Sequence, residues 1–159
     1  MKKILLLCLL MPFFYNTIAQ IEEIEVKTQW ITIGELKWIN TIKAQLQYTT
    51  VGKDTTYLLY LKDEQTLKNS RDQSVTRHFS IRFNSEGNTL GELKRLLFSF
   101  FEKENAKNKE YDKTFRLGST MVNVQHYRKL TGATIMFYTK EGYILFTKRE
   151  LTKLFGKDS

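Results

Sequence analysis

Cysteine and proline are almost absent from this chain of 159 residues, and the single copy of each lies in its first 19 positions, as Cys8 and Pro12. That opening segment begins with Lys2 and Lys3, runs apolar through Phe14 and closes with Thr17-Ile18-Ala19 before Gln20. A basic start, a short oily run and small residues ahead of the break describe a secretory signal peptide cleaved after Ala19. The run is too short to span a bilayer, so no transmembrane anchor is expected after cleavage. Cys8 follows Leu7 inside the oily run, where a lipoprotein acylation site does not fit. The expected product is residues 20–159, a single α+β domain, periplasmic or secreted. Without cysteine it has no disulfide and must be held by its core, for which about 140 residues suffice.

Histidine is scarce too. His78 and His126 are the only two, and no His-x-His or His-x-x-x-His pair exists to start a zinc site. The carboxylate spacing of a calcium loop is missing. There is no glycine-rich phosphate cradle, which counts against a nucleotide enzyme. Gly118-Ser119-Thr120 lacks the second glycine of a nucleophile elbow. A His126–acid–Ser119 set is the one nucleophilic arrangement this composition offers, and it is disfavoured. No catalytic, cofactor-binding or metal-ligating residue is assigned, and no cofactor is expected.

The charge is modestly one-sided. Twenty-five basic and 17 acidic residues give +8, and removing Lys2 and Lys3 leaves +6. The charges are interspersed along the chain, which reads as an ordinary wet surface. Export makes nucleic acid an unexpected partner.

What the sequence does contain is periodicity. Residues 89–103 repeat Leu90, Leu93, Leu96, Leu97, Phe100 and Phe101 on one helical face. Thr89 and Glu92 have the spacing of a capping box. A second helix is expected over 148–155, with Thr147 and Glu150 as its box, Phe146 and Leu151 as a hydrophobic staple, and Gly156 as its stop. Strands are expected over 20–34, 36–49, 55–61, 75–83, 114–117, 120–129, 133–139 and 143–146, with 62–74 and 104–112 as polar connections. The longest, 36–49, alternates Leu36, Trp38, Ile42, Ala44, Leu46 and Tyr48 against polar residues. Seven of the eight glycines fall at expected turns or element ends, Gly91 being the exception. The series Ile81-x-Phe83, Glu86-Gly87, Thr89-x-x-Glu92-Leu93 has a faint echo in Ile135-x-Phe137, Glu141-Gly142, Thr147-x-x-Glu150-Leu151, a duplication signal that is not collinear. The expected fold is α+β: a curved antiparallel sheet of about eight strands with two amphipathic helices packed on one face.

Two surface features stand out. Lys148, Arg149 and Lys153, with Lys157, lie beside the last helix; they are helix-dipole partners or a basic contact surface. Asp54-Thr55-Thr56 matches the short acceptor pattern of bacterial O-glycosylation, with Thr55 as the candidate. His78 is expected to face solvent and His126 to cap the core edge through a hydrogen bond. The large aromatic content fills a thick core or lines an apolar cavity. The expected function is an exported non-catalytic interaction module of the bacterial cell envelope (accessory, inhibitor or immunity-like) with another protein as partner. The alternative is a periplasmic carrier of a lipid or other apolar small molecule between sheet and helix.

Overall fold

The computed structural model describes residues 29–129 and 132–156; the expected leader, Thr131 of one expected turn and Lys157 lie outside them. The chain is α+β and its strands pair antiparallel. Strands β1 (Ile31–Trp38), β2 (Thr41–Val51) and β3 (Asp54–Lys62) form a meander. A two-stranded ladder of β4 (Leu67–Lys68) and β5 (Ser74–Val75) interrupts it, and β6 (His78–Asn84) then pairs with β3. Helix α1 (Thr89–Ser99) follows. A second meander runs through β7 (Asp112–Leu117), β8 (Thr120–Lys129), β9 (Gly132–Thr139) and β10 (Gly142–Thr147), directly into α2 (Lys148–Leu154).

The expected single curved sheet is corrected. The eight principal strands divide into two four-stranded sheets, β1-β2-β3-β6 and β10-β9-β8-β7. The separation arises where β6 and β7 would have joined. The turn of Gly118 presses on the β6 main chain there, and a Cβ on Gly118 would meet the Arg82 carbonyl oxygen at 2.2 Å. No ladder forms between β6 and β7. The sheets are stitched elsewhere, by the Glu64 amide donating to the Tyr143 carbonyl at 2.8 Å. Both sheets and both helices still share one apolar cluster, including Leu46, Ile81, Leu97, Phe137, Phe146 and Leu151.

The two helices pack into the same apolar cluster. Helix α2 lies against β1, where a Cβ on Gly34 would come within 2.2 Å of the Leu154 carbonyl oxygen. Gly34 therefore sits inside a strand rather than at its end, because only a residue without a side chain lets the helix backbone approach so closely. The end of α1 turns toward the other sheet: Phe100 meets the ring of His126 on β8 edge-on at 5.3 Å. Leu93, Leu97 and Phe100 of its apolar stripe are buried.

Three local expectations change. The 89–103 helix stops at Ser99, and a 3₁₀ turn follows at Asn105–Lys107. Its capping box does not form. Asn88 is the N-cap, which puts Gly91, with no side chain to reach back, at N3, and the Thr89 hydroxyl donates instead to the Glu86 carbonyl at 2.7 Å. The α2 box does form, Thr147 accepting from the Glu150 amide while Glu150 accepts from the Thr147 amide. Finally, the expected strand 36–49 is two strands, joined by a turn at Ile39-Asn40.

Candidate functional site

That turn opens the candidate site. Trp38 and Thr41 pair across the β1–β2 hairpin, and Ile39 between them adopts φ of 56°. A β-branched side chain is poorly accommodated in the left-handed region. Ile39 is 84% exposed and Trp38 70% exposed. The most strained backbone position thus carries two large apolar side chains into water, the opposite of what folding alone favours. The Lys62 ammonium lies 5.8 Å from the centre of the Trp38 ring, over its face, an arrangement that steadies the indole without covering it.

Trp38 stands at the mouth of a groove of about 760 Å³. One wall is the β1–β2 hairpin. A second is formed by the β3–β6 connection, including Ser74 and Val75 of β5. The third is α2, which presents Arg149 and Lys153, four residues apart and hence on one helical face.

The floor is rigid, and Asp63 is the reason. Only 2% exposed, its Oδ1 accepts from the amides of Gln65 and Tyr143, each at 3.1 Å. Its Oδ2 accepts from the Arg77 guanidinium at 3.0 and 2.5 Å. Arg77 also donates to the Glu141 carbonyl. Gly142 leaves room for the carboxylate: a Cβ there would lie 2.6 Å from the Asp63 Cγ. Burial by itself pushes the Asp63 pKa up, but the two amides and Arg77 outweigh it and hold the group below its ordinary 3.8.

Glu150 behaves alike at the start of α2. Burial raises its pKa, while the hydrogen bond from Lys43, the Thr147 cap and the Lys43 charge bring it below 4.5. Lys43 reaches Glu150 at 2.6 Å and Glu64 at 3.8 Å, tying β2 to α2.

The four acids lining the groove are all engaged: Glu35 with Lys37, Glu64 and Glu150 with Lys43, Asp63 with Arg77. Lys62, Arg149 and Lys153 also line it, and among the described residues none of these three cations has a carboxylate within ion-pair distance. The unneutralised charge of the groove is positive. Periodicity pointed to Arg149 and Lys153 as a surface, and the structure brings them to one wall; Lys148 is exposed beside them. The sequence reading missed Trp38, placing it among the expected core aromatics, and it missed Asp63. The only local signal for Trp38 is the Ile39-Asn40 pair that follows it, and Asp63 has none, since it meets Tyr143 across 80 residues.

Other candidates lie apart. His78 is half-buried rather than solvent-facing: it stacks on Tyr60 with ring centres 4.9 Å apart, and its Nε2 lies 3.1 Å from the Ile42 carbonyl oxygen. His126 sits at the core edge with Nε2 3.1 Å from the Asn105 carbonyl oxygen. Ser119 belongs to the turn at the far end of β8, roughly 20 Å along the strand from His126, so the two cannot act together. Ser119 instead borders a hollow of about 320 Å³ with Met121 and Tyr138. Thr55 is half-buried beside the exposed β2–β3 turn, its Oγ1 3.5 Å from that of Thr50.

Among the described residues, no group of three or more His, Cys, Asp or Glu is placed to hold a metal ion, and no helix is long and apolar enough to cross a membrane. No protein-family model matches the chain, and neither a curated protein nor a solved structure does.

Proposed function

We propose that this chain is an exported, non-catalytic binding module of the bacterial cell envelope that holds a partner protein in the groove beside Trp38. The observation carrying this reading is the exposed Trp38 on a strained turn, set against a floor of fully engaged polar groups. Large aromatic side chains and arginine dominate the energetics of protein contacts, and a rigid support keeps their position fixed before binding. Lys148, Arg149 and Lys153 form the basic side of this contact surface.

The test is capture from envelope extract by the mature protein and by Trp38→Ala. A protein retained by the first and lost from the second supports the reading; equal retention by both overturns it.

The carrier alternative draws less support, because Phe100, Phe137 and Phe146 are fully buried in the shared core, where packing leaves them no ligand to contact. Native mass measurement on protein from its own host tests it through added lipid mass. Thr55 stands as a proposed glycan acceptor. It sits half-buried beside an exposed turn, and the intact mass of exported protein is the check.

A further inference from the structure

Resting on that reading, we infer that the groove takes an extended acidic polypeptide segment bearing an apolar anchor. Three observations converge. The first is charge: Glu35 and Asp63 are each paired, Glu64 and Glu150 share Lys43, and Lys62, Arg149 and Lys153 have no carboxylate partner among the described residues, so the groove keeps a positive excess to meet incoming carboxylates. The second is apolar surface. Val75, 44% exposed, lines the groove with Trp38; an aliphatic side chain of this kind buries a peptide's apolar residue but does little for a sugar, which needs flat rings and hydrogen bonds. The third is main chain. Strand β5 lines the groove and, among the described residues, has β4 as its one strand partner, so this two-residue strand offers one residue's main-chain donor and acceptor to an extended segment. An extended peptide alternates side chains to opposite faces, which suits Arg149 and Lys153 on the α2 wall and Trp38 and Val75 on the other two walls.

The experiment is an amide-resolved NMR titration of the mature protein with three probes. The first is a pooled decapeptide library alternating Asp or Glu with Leu, Val or Phe. The second is the same library with Asn or Gln at the acidic positions, and the third is sodium polygalacturonate. The expected result is that the acidic library shifts the amides of Trp38, Val75 and Lys153 and binds at least tenfold tighter than the amide library. Arg149→Glu combined with Lys153→Glu should erase that difference while the spectrum outside the groove stays unchanged. Equal binding of the two libraries at these amides overturns the acidic preference and leaves the groove as a protein-binding site. Shifts with polygalacturonate alone overturn it in favour of an anionic glycan. If no probe shifts the groove, the acidic-segment inference fails, and the capture comparison with Trp38→Ala then decides separately whether the groove binds protein at all.

Discussion

The floor of the groove and the tip of its hairpin wall are built on opposite terms. At the Asp63 floor both carboxylate oxygens are engaged, and three separate stretches of chain (63–65, 77 and 141–143) are tied there. At the Trp38–Ile39 tip, little is buried and the backbone is held in an unfavourable region. A protein selected only for stability would hide the tryptophan and put glycine or asparagine at position 39, where φ is positive. Strain that persists on a well-supported scaffold points to use rather than to folding. The floor ties the fold together, and the tip, which buries little, is the part proposed to bind.

The contrast breaks most visibly at the floor. Asp63→Ala removes the acceptor for two amides and the partner of Arg77. Because Arg77 is 45% exposed and can rehydrate, the cost should fall at the lower end for a broken buried pair, about 3 kcal/mol. Urea unfolding measures it. A loss under 1 kcal/mol would mean the floor is not the tie it looks to be.

Acid should loosen the same tie. Asp63 and Glu150 have folded pKa values below their ordinary 3.8 and 4.5. Each then contributes stability that is complete above the unfolded pKa and disappears as pH falls through the folded one. Unfolding free energy should therefore drop as pH is lowered from about 5 toward 3, with a shallower drop in Asp63→Asn. Urea midpoints across that range give the slope, and identical slopes in the two proteins would contradict the assignment.

The tip should answer in the other direction. Ile39→Gly removes a left-handed β-branched residue that buries almost nothing, so stability should rise by about 1 kcal/mol. The thermal midpoint reads this, and a fall would show that Ile39 packs in a way its exposure hides. Trp38→Ala should change stability least, within about 0.5 kcal/mol, while weakening the partner complex by about 2 kcal/mol, the scale of an aromatic hot spot. Unfolding and affinity measured on the same variant separate the two roles. A large stability loss would move Trp38 from binding to folding.

The parts of the groove also differ in how far the sequence disclosed them. The α2 wall was legible: Thr147, Glu150 and Gly156 mark its ends locally, and the four-residue spacing of Arg149 and Lys153 shows their common face. The strands of the second meander were legible for the same reason, alternation bounded by glycine turns at Gly118 and Gly142. The tip was not. The Ile39-Asn40 turn keeps the odd–even parity of the alternation, so Leu36 and Trp38 run on into Ile42 and Ala44 as if one strand continued. Nothing in an isoleucine announces a positive φ. The floor was hidden for a different reason: Asp63 meets Tyr143 across 80 residues, a pairing that local patterns do not contain. The division into two sheets escaped for that reason too, since it depends on a turn at Gly118 meeting the Arg82 carbonyl.

The central claim, that the chain binds its partner at the tip, is tested most directly by photo-crosslinking from single sites in the exported protein. A benzophenone amino acid placed at position 38 is compared with one at Lys53, an exposed position on the β2–β3 turn. The expected result is a discrete crosslinked protein from position 38 and none from 53. A product from 53 with none from 38, or the same product from both, would contradict the account.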